Sequence, residues 1–265
     1  MKNIGLILFD IDGVIRDVTN SYRMAIQETV SLFCGWKPSI QDIDSLKSEG
    51  CWNNDWDLSL EMISRHAQKN NPSLSTPTRK KLIECFENFY FGGNPNDDPS
   101  KWSGFIKNEK LLVKQNLFDE LTKRRISWGF VSGAELPSAK FVLEQRLGLV
   151  SAPLIAMGDA PDKPDPTGLI SLSSKLSTSP LGVSNPPIAY IGDTVADIKT
   201  VINARSRIPH QKFISIAIAP PHLHGNSNKE KRLNYEVKLR EAGADLILKS
   251  MDNLKDEIFK LLTCQ

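Results

Sequence analysis

The sequence predicts an α/β protein: a Rossmann-like parallel sheet covered by helices on both faces, with an inserted all-helical cap domain. Three observations predict it. Short apolar runs bounded by turn residues recur at Ile4–Phe9, Trp128–Val131, Leu154–Met157, Ile188–Ile191, Phe213–Ala219 and Leu246–Leu248. Runs of this length without polar alternation suit strands buried on both faces. From Leu117 onward the runs alternate with helical patterns, as in a parallel sheet with helical crossovers. Between the first two runs lies a long stretch of helical periodicity with no strand signal. The expected division is therefore a core of residues 1–16 and 105–265 and a helical domain of residues 17–104.

In chain order, Ile4–Phe9 is a buried strand, and Gly13 just after it permits a sharp turn. Asn20 or Ser21 can cap a helix with apolar positions Tyr22, Ala25, Ile26, Val30 and Phe33, ended by Gly35. Ser39–Glu49 predicts a short helix. Gly50–Trp56 is a polar and aromatic loop, after which Asp55 can cap a helix carrying Trp56, Leu60, Ile63 and Ala67. Pro77 suits the start of a helix with a stripe of Leu82, Ile83, Phe86 and Phe89, stopped by Gly92-Gly93. Residues 94–104 read as a linker. Beyond it, helices are expected over Leu117–Arg125, Ala139–Leu147, Thr167–Leu176, Val195–Ala204, Asn228–Ala242 and Leu254–Leu262, with a Ser/Pro/Gly loop over Ser177–Pro187.

Composition narrows the class. A 265-residue chain can bury a sizeable core, and 40% hydrophobic with 24% charged residues is ordinary for a globular protein. A net charge of +2 does not suggest a nucleic-acid surface. No apolar run approaches the ~20 residues of a membrane span, and the N-terminal run lacks the features of a secretion signal. Four cysteines, Cys34, Cys51, Cys85 and Cys264, have neither metal nor disulfide spacing. Reduced thiols in a cytoplasmic protein are expected. His210, His222 and His224 have no partner at metal spacing and read as loop residues.

The chemistry concentrates at strand ends, where open α/β sheets bind ligands. Asp10 and Asp12 follow the first strand, Ser132 and Gly133 the second. Lys163 lies in the loop after the third, and Asp193 and Asp197 follow the fourth. Paired acids can hold a hard cation such as Mg²⁺, and one of them can be a nucleophile. With a hydroxyl and an ammonium, this is an inventory for handling a phosphoryl group on a metal.

With these residues the chain resembles the haloacid dehalogenase-like superfamily. Its four motifs stand in order: Asp10-Ile11-Asp12-Gly13-Val14, Ser132, Lys163-Pro164-Asp165-Pro166 and Gly192-Asp193-Thr194-Val195-Ala196-Asp197. The helical insert is similar to the cap of the subgroup containing phosphoglycolate phosphatases and β-phosphoglucomutase. The resemblance implies that Asp10 attacks phosphorus and that Asp12 protonates the leaving oxygen. It implies Mg²⁺ held by Asp10, the Asp12 carbonyl and Asp193, with Asp197 reaching the metal through water or orienting Lys163. Ser132, the Gly133 N–H and Lys163 would meet phosphate oxygens. The implied partner is a small phosphorylated metabolite, with no nucleic acid and no membrane.

A phosphatase is the leading reading. A phosphomutase shares the same core; a dehalogenase has no use for Asp12, and a non-catalytic protein would have lost a motif acid. Substrate choice is expected from Arg16, Arg23 and the loop with Trp52, Asn53 and Asn54, which in related capped enzymes dips into the crevice. Two departures from relatives stand out: Gly133-Ala134 after Ser132, where many have a polar residue after the hydroxyl, and a long connection over 220–236.

Overall fold

The computed structural model describes residues 3–47, 49, 52 and 54–263. It divides into two compact units, one of Met1–Asp17 with Leu111–Gln265 and one of Val18–Lys110. The expected return to the core at residue 105 precedes the observed one, because Phe105–Asn108 folds as a 3-10 turn with Ile106 buried in the second unit.

The chain starts with β1 (Gly5–Phe9) and the two-residue β2 (Arg16–Asp17). The helices α1 (Tyr22–Cys34), α2 (Ile40–Lys47), α3 (Asp55–Asn70) and α4 (Arg79–Phe91) follow. After β3 (Lys110–Leu111) come α5 (Asn116–Lys123), β4 (Ile126–Val131) and α6 (Leu136–Lys140), which runs on as a π-helical turn to Arg146. Then come β5 (Leu154–Ile155), α7 (Thr167–Leu176), β6 (Ile188–Gly192) and α8 (Val195–Arg207). The chain closes with β7 (Phe213–Ile218), α9 (Lys229–Glu241), β8 (Leu246–Leu248) and α10 (Leu254–Thr263).

In the first unit six parallel strands pair in the order β5-β4-β1-β6-β7-β8. The period of two explains why β1 has no polar residue. Ile7 and Phe9 join a core with Leu117, Phe118 and Leu121 of α5, Val142 and Leu143 after α6, and Leu254 and Ile258 of α10. Leu6 and Leu8 face the opposite way, toward Leu169 and Leu172 of α7 and Val201 of α8. Each such side chain is worth roughly 2 kcal/mol of burial, so the register that places Asp10 is strongly fixed.

Some boundaries differ from the sequence expectation. Helix α6 starts at Leu136 rather than Ala139, since Pro137 falls in the first turn, where a missing N–H is harmless. Helix α3 is capped by Asn54, not Asp55: Asn54 is extended, and its Oδ1 accepts from the amides of Trp56 and Asp57. Strand β5 stops at Ile155, and the Met157 amide turns to the Ala134 carbonyl.

The second unit packs α1 against α3 and α4. Ile26, Val30, Met62, Ile63, Leu82 and Phe86 are buried, and Tyr22 stacks on Tyr90 with centroids 4.2 Å apart. Buried Glu109 accepts from Ser21 Oγ and Tyr90 Oη. Helices α1 and α4 end at Gly35 and Gly92, both in the left-handed region. Among the described residues, no helix is long and apolar enough to cross a membrane.

Candidate active site

Three adjacent strands deliver the central side chains. Asp10 follows β1, and its amide donates to the Ile191 carbonyl of β6 at 2.8 Å. Ser132 follows β4, and its amide donates to the Ile155 carbonyl at 2.9 Å. Asp193 follows β6. Because the strands are parallel, all these ends lie on one edge of the sheet.

One carboxylate oxygen from each of Asp10, Asp193 and Asp197 lies within 4.8 Å of the others. Two glycines make this approach possible. Gly13 has φ +75°, and a Cβ there would sit 2.0 Å from Asp193 Oδ2. A Cβ at Gly192 would sit 2.2 Å from that of Asp197.

Lys163 Nζ lies 2.6 Å from Asp197 Oδ1 and 3.1 Å from Asp10 Oδ1. The first contact is a hydrogen bond. The second is too poorly aligned to be one, so the buried Asp10 Oδ1 has no hydrogen-bond donor. The other oxygen of Asp197 is occupied as well. Thr194 caps α8, and Asp197 Oδ2 accepts from its amide and its hydroxyl in a capping box. Asp197 thus locks the helix start and the lysine together. Ser132 Oγ accepts from the Ala134 amide at 3.1 Å, which leaves its proton to donate. Gly133 is exposed, and a Cβ on it would meet nothing within 4 Å.

The electrostatics follow from three acids sharing one ammonium. Burial pushes Asp10 up to about 7 against the pull of Lys163, with Asp197 and Asp12 adding to the rise. Burial and the neighbouring Asp197 and Asp10 carboxylates hold Asp193 well above the usual range. Asp197 is lowered: burial opposes its charge, but Lys163 and the Thr194 donors prevail. Burial also disfavours the Lys163 charge, yet Asp10 and Asp197 keep its proton affinity well above the ordinary value.

The Asp12 carboxylate is absent from the acid cluster. It was expected in the metal set only through its backbone carbonyl, and its side chain is held elsewhere, by Arg16 Nε at 2.6 Å. Arg16, expected to contact substrate, has a fully buried guanidinium that donates to Asp12 and to Ser138. Arg23 pairs with Asp44 in the second unit. There too, the Trp52 indole donates to Glu49 and Asn54 serves as a cap; Asn53 lies outside the described residues.

Sequence reasoning missed Tyr190. Its hydroxyl lies 2.8 Å from the Val131 carbonyl, 3.0 Å from Asp197 Oδ1 and 3.3 Å from Lys163 Nζ. The signal was available: it is the one polar tip in the apolar run before Gly192-Asp193. Tyr235, on the long connection's helix, donates to the Asp193 carbonyl at 3.0 Å and ties α9 to the site.

The chain resembles known proteins in sequence and in fold. A family model described as haloacid dehalogenase-like hydrolase matches residues 4–205. Phosphatase Tt82 from Thermococcus thioreducens shares the fold at a TM-score of 0.61 and 22% identity, over 89% of this chain and 99% of that one. A phosphonoacetaldehyde hydrolase-like protein from Oleispira antarctica aligns at 0.70 and 13% identity, over 99% and 95%. A HAD hydrolase of family IA, variant 3, from Entamoeba histolytica aligns at 0.66 and 18% identity over the whole of both chains. An imidazoleglycerol-phosphate dehydratase of Phytophthora nicotianae is 33% identical over 195 residues, 72% of this chain. The chain spans only 40% of that relative's length.

Proposed function

The chain belongs to the haloacid dehalogenase-like hydrolase family, and on that premise we propose that it is a Mg²⁺-dependent phosphatase acting on a small phosphomonoester through an aspartyl phosphate. The observation that carries the reading is the acid cluster beside Lys163, with the buried Asp10 Oδ1 left without a donor.

The residues fit a divalent cation. An all-oxygen donor set suits a hard ion. Asp10 and Asp193 are pushed up by burial and by neighbouring carboxylates, whose repulsion a dication at the same place would relieve. Asp10, Asp193 and the Asp12 carbonyl would hold it. Bound there, the ion supplies charge neutralisation for an anionic phosphoryl group.

The remaining steps belong to side chains. The Asp10 carboxylate attacks phosphorus and forms the acyl phosphate while the bond to the leaving oxygen breaks. Asp12 gives its proton to that oxygen, and as a carboxylate it then takes a proton from the water that cleaves the acyl phosphate. This second transfer restores both acids. Proton transfer of this kind is typically worth about 10²–10⁴ in rate. Ser132 Oγ and Lys163 meet the phosphoryl oxygens, and Asp197 with Tyr190 keeps the ammonium in place.

The test is a panel of phosphorylated metabolites with Mg²⁺ and with EDTA. The similarity to a longer protein named for an imidazole-bearing phosphate ester puts imidazole-bearing phosphomonoesters on that panel. Hydrolysis abolished by EDTA and restored by Mg²⁺ supports the proposal; full activity in EDTA overturns it. A requirement for a bisphosphorylated activator would identify a phosphomutase instead.

A further inference from the structure

We infer that Arg16 is a positioning residue: its buried guanidinium holds the Asp12 carboxylate where it exchanges protons with the leaving group, and anchors it to the segment that follows the phosphate-binding Ser132. The inference rests on the proposed acid–base role of Asp12.

The sequence places Arg16 four residues after Asp12, a spacing that in a helix makes an ordinary surface pair. Here the chain is not helical. The amides of Val14, Ile15 and Arg16 fold back on the Ile11 carbonyl, and Gly13 N–H donates to the Arg16 carbonyl. Val14 and Ile15 are buried in this turn, which drives the following side chain inward. The Arg16 side chain is 0% exposed, whereas that of Asp12 is 27% exposed. Burying a guanidinium is expensive unless its donors are met. A surface lysine or an apolar residue would avoid that expense, so stability alone is a weak reason for the pair.

The geometry supplies a reason. Nε donates to Asp12 Oδ1 at 2.6 Å, which fixes that oxygen and leaves Oδ2 to carry the proton. Nη1 and Nη2 lie 3.4 Å and 3.3 Å from the carbonyl and hydroxyl of Ser138, itself fully buried in α6. Helix α6 follows directly on Ser132-Gly133-Ala134. A planar guanidinium with donors in a rigid fork is suited to holding two elements at a set distance. Asp12 immediately precedes the Gly13 turn, and Arg16 references its carboxylate to the side of the site proposed to grip phosphate.

The test is the leaving-group dependence of the full chain with Mg²⁺, using 4-nitrophenyl, phenyl and ethyl phosphate. A good leaving group needs little protonation and a poor one needs much, so a misplaced acid is felt selectively. Asp12→Asn sets the scale. Arg16→Gln should lower kcat/KM for ethyl phosphate about 10–100-fold more than for 4-nitrophenyl phosphate, the effect expected when a catalytic group is displaced by about 1 Å. Labelled phosphoenzyme should accumulate with the aryl ester, because the hydrolysis step needs the same carboxylate. Arg16→Lys should recover part of the loss. Ser138→Ala, which loosens the far anchor, should show a smaller loss of the same kind. The double variant Arg16→Gln/Asp12→Asn should be no more selective than Asp12→Asn.

Equal loss on all three esters, or none, overturns the inference, and a soluble Arg16→Lys or Ser138→Ala decides this even if Arg16→Gln does not fold. If Asp12→Asn itself shows no leaving-group dependence, the acid–base role of Asp12 falls and the inference falls with it. A selective effect at Asp12 without one at Arg16 refutes Arg16 alone.

Discussion

Asp197→Asn separates holding Lys163 from holding the metal, two jobs the sequence left open for that residue. Its charge is attracted to Lys163 at 2.6 Å and repelled by Asp10 and Asp193, each within 4.8 Å. At an effective dielectric of about 20 the attraction is about 6 kcal/mol and the two repulsions are at least about 3.5 kcal/mol each. They nearly cancel at a pH high enough to ionise both Asp10 and Asp193. At such a pH, replacing the charge should leave the metal-free protein close to its original stability, apart from about 1 kcal/mol for an imperfectly replaced hydrogen bond. In a protein of this size that is a fall in Tm of about 2–4 °C. Turnover should respond very differently. Without Asp197, Lys163 is free to close on Asp10, 3.1 Å away, and to tie up the nucleophile. Misplacing one such charge should lower kcat about 10²-fold for every phosphomonoester. The assays are thermal denaturation with EDTA or Mg²⁺ and steady-state kinetics. Asp197→Asn should keep the Mg²⁺-induced rise in Tm, and Asp193→Asn should lose it. A fall in Tm above about 10 °C would refute the cancellation, and loss of the Mg²⁺ effect in Asp197→Asn would make Asp197 a ligand.

Two further outcomes follow from the same cluster. Asp10 is raised from an ordinary 3.8 to about 7, so between those values the metal-free folded state binds more protons than the unfolded one. Its stability relative to Asp10→Asn should therefore fall as pH rises through that window; thermal melts in EDTA check this, a flat difference contradicts it, and Mg²⁺ should remove the trend. Gly13→Ala forces a Cβ to within 2.0 Å of Asp193 Oδ2 at a φ of +75°. It should cost about 1–3 kcal/mol from the backbone alone and abolish the Mg²⁺-induced rise in Tm, whereas an unchanged melt with Mg²⁺ would show that Asp193 moves aside freely.

The central site was legible because its logic is topological. Once β1, β4 and β6 are read as parallel strands, the residues after each must share one edge of the sheet, and Asp10, Ser132 and Asp193 are those residues. What escaped depends on side-chain direction and on where an element begins. Tyr190 has the hydrophobic bulk that β6 needs, and only the fold shows that its hydroxyl end reaches Lys163. Asn54 and Asp55 are both good helix caps, and the choice between them rests on which backbone is extended. The sequence offers Arg16 as a substrate contact and does not show that the buried turn of Val14 and Ile15 aims it at Asp12.

Charge balance gives these local arrangements a common sense. Fully ionised, Asp10, Asp193 and Asp197 carry three negative charges against one on Lys163, an excess of two. Burial, and then the neighbouring carboxylates, push Asp10 and Asp193 up, and the excess charge would repel an incoming phosphate. A single divalent cation removes it; a monovalent one would not, which favours Mg²⁺ over an alkali ion on charge alone. Asp12 adds to the rise of Asp10 and Asp193, but its side chain has a cation of its own, Arg16 Nε at 2.6 Å. The group proposed to exchange protons is thereby held by a partner of its own, and the acids proposed to hold metal and nucleophile share another. Two separate cations, one for each task, allow Asp12 to act without drawing on the lysine that keeps Asp10 and Asp197 in place.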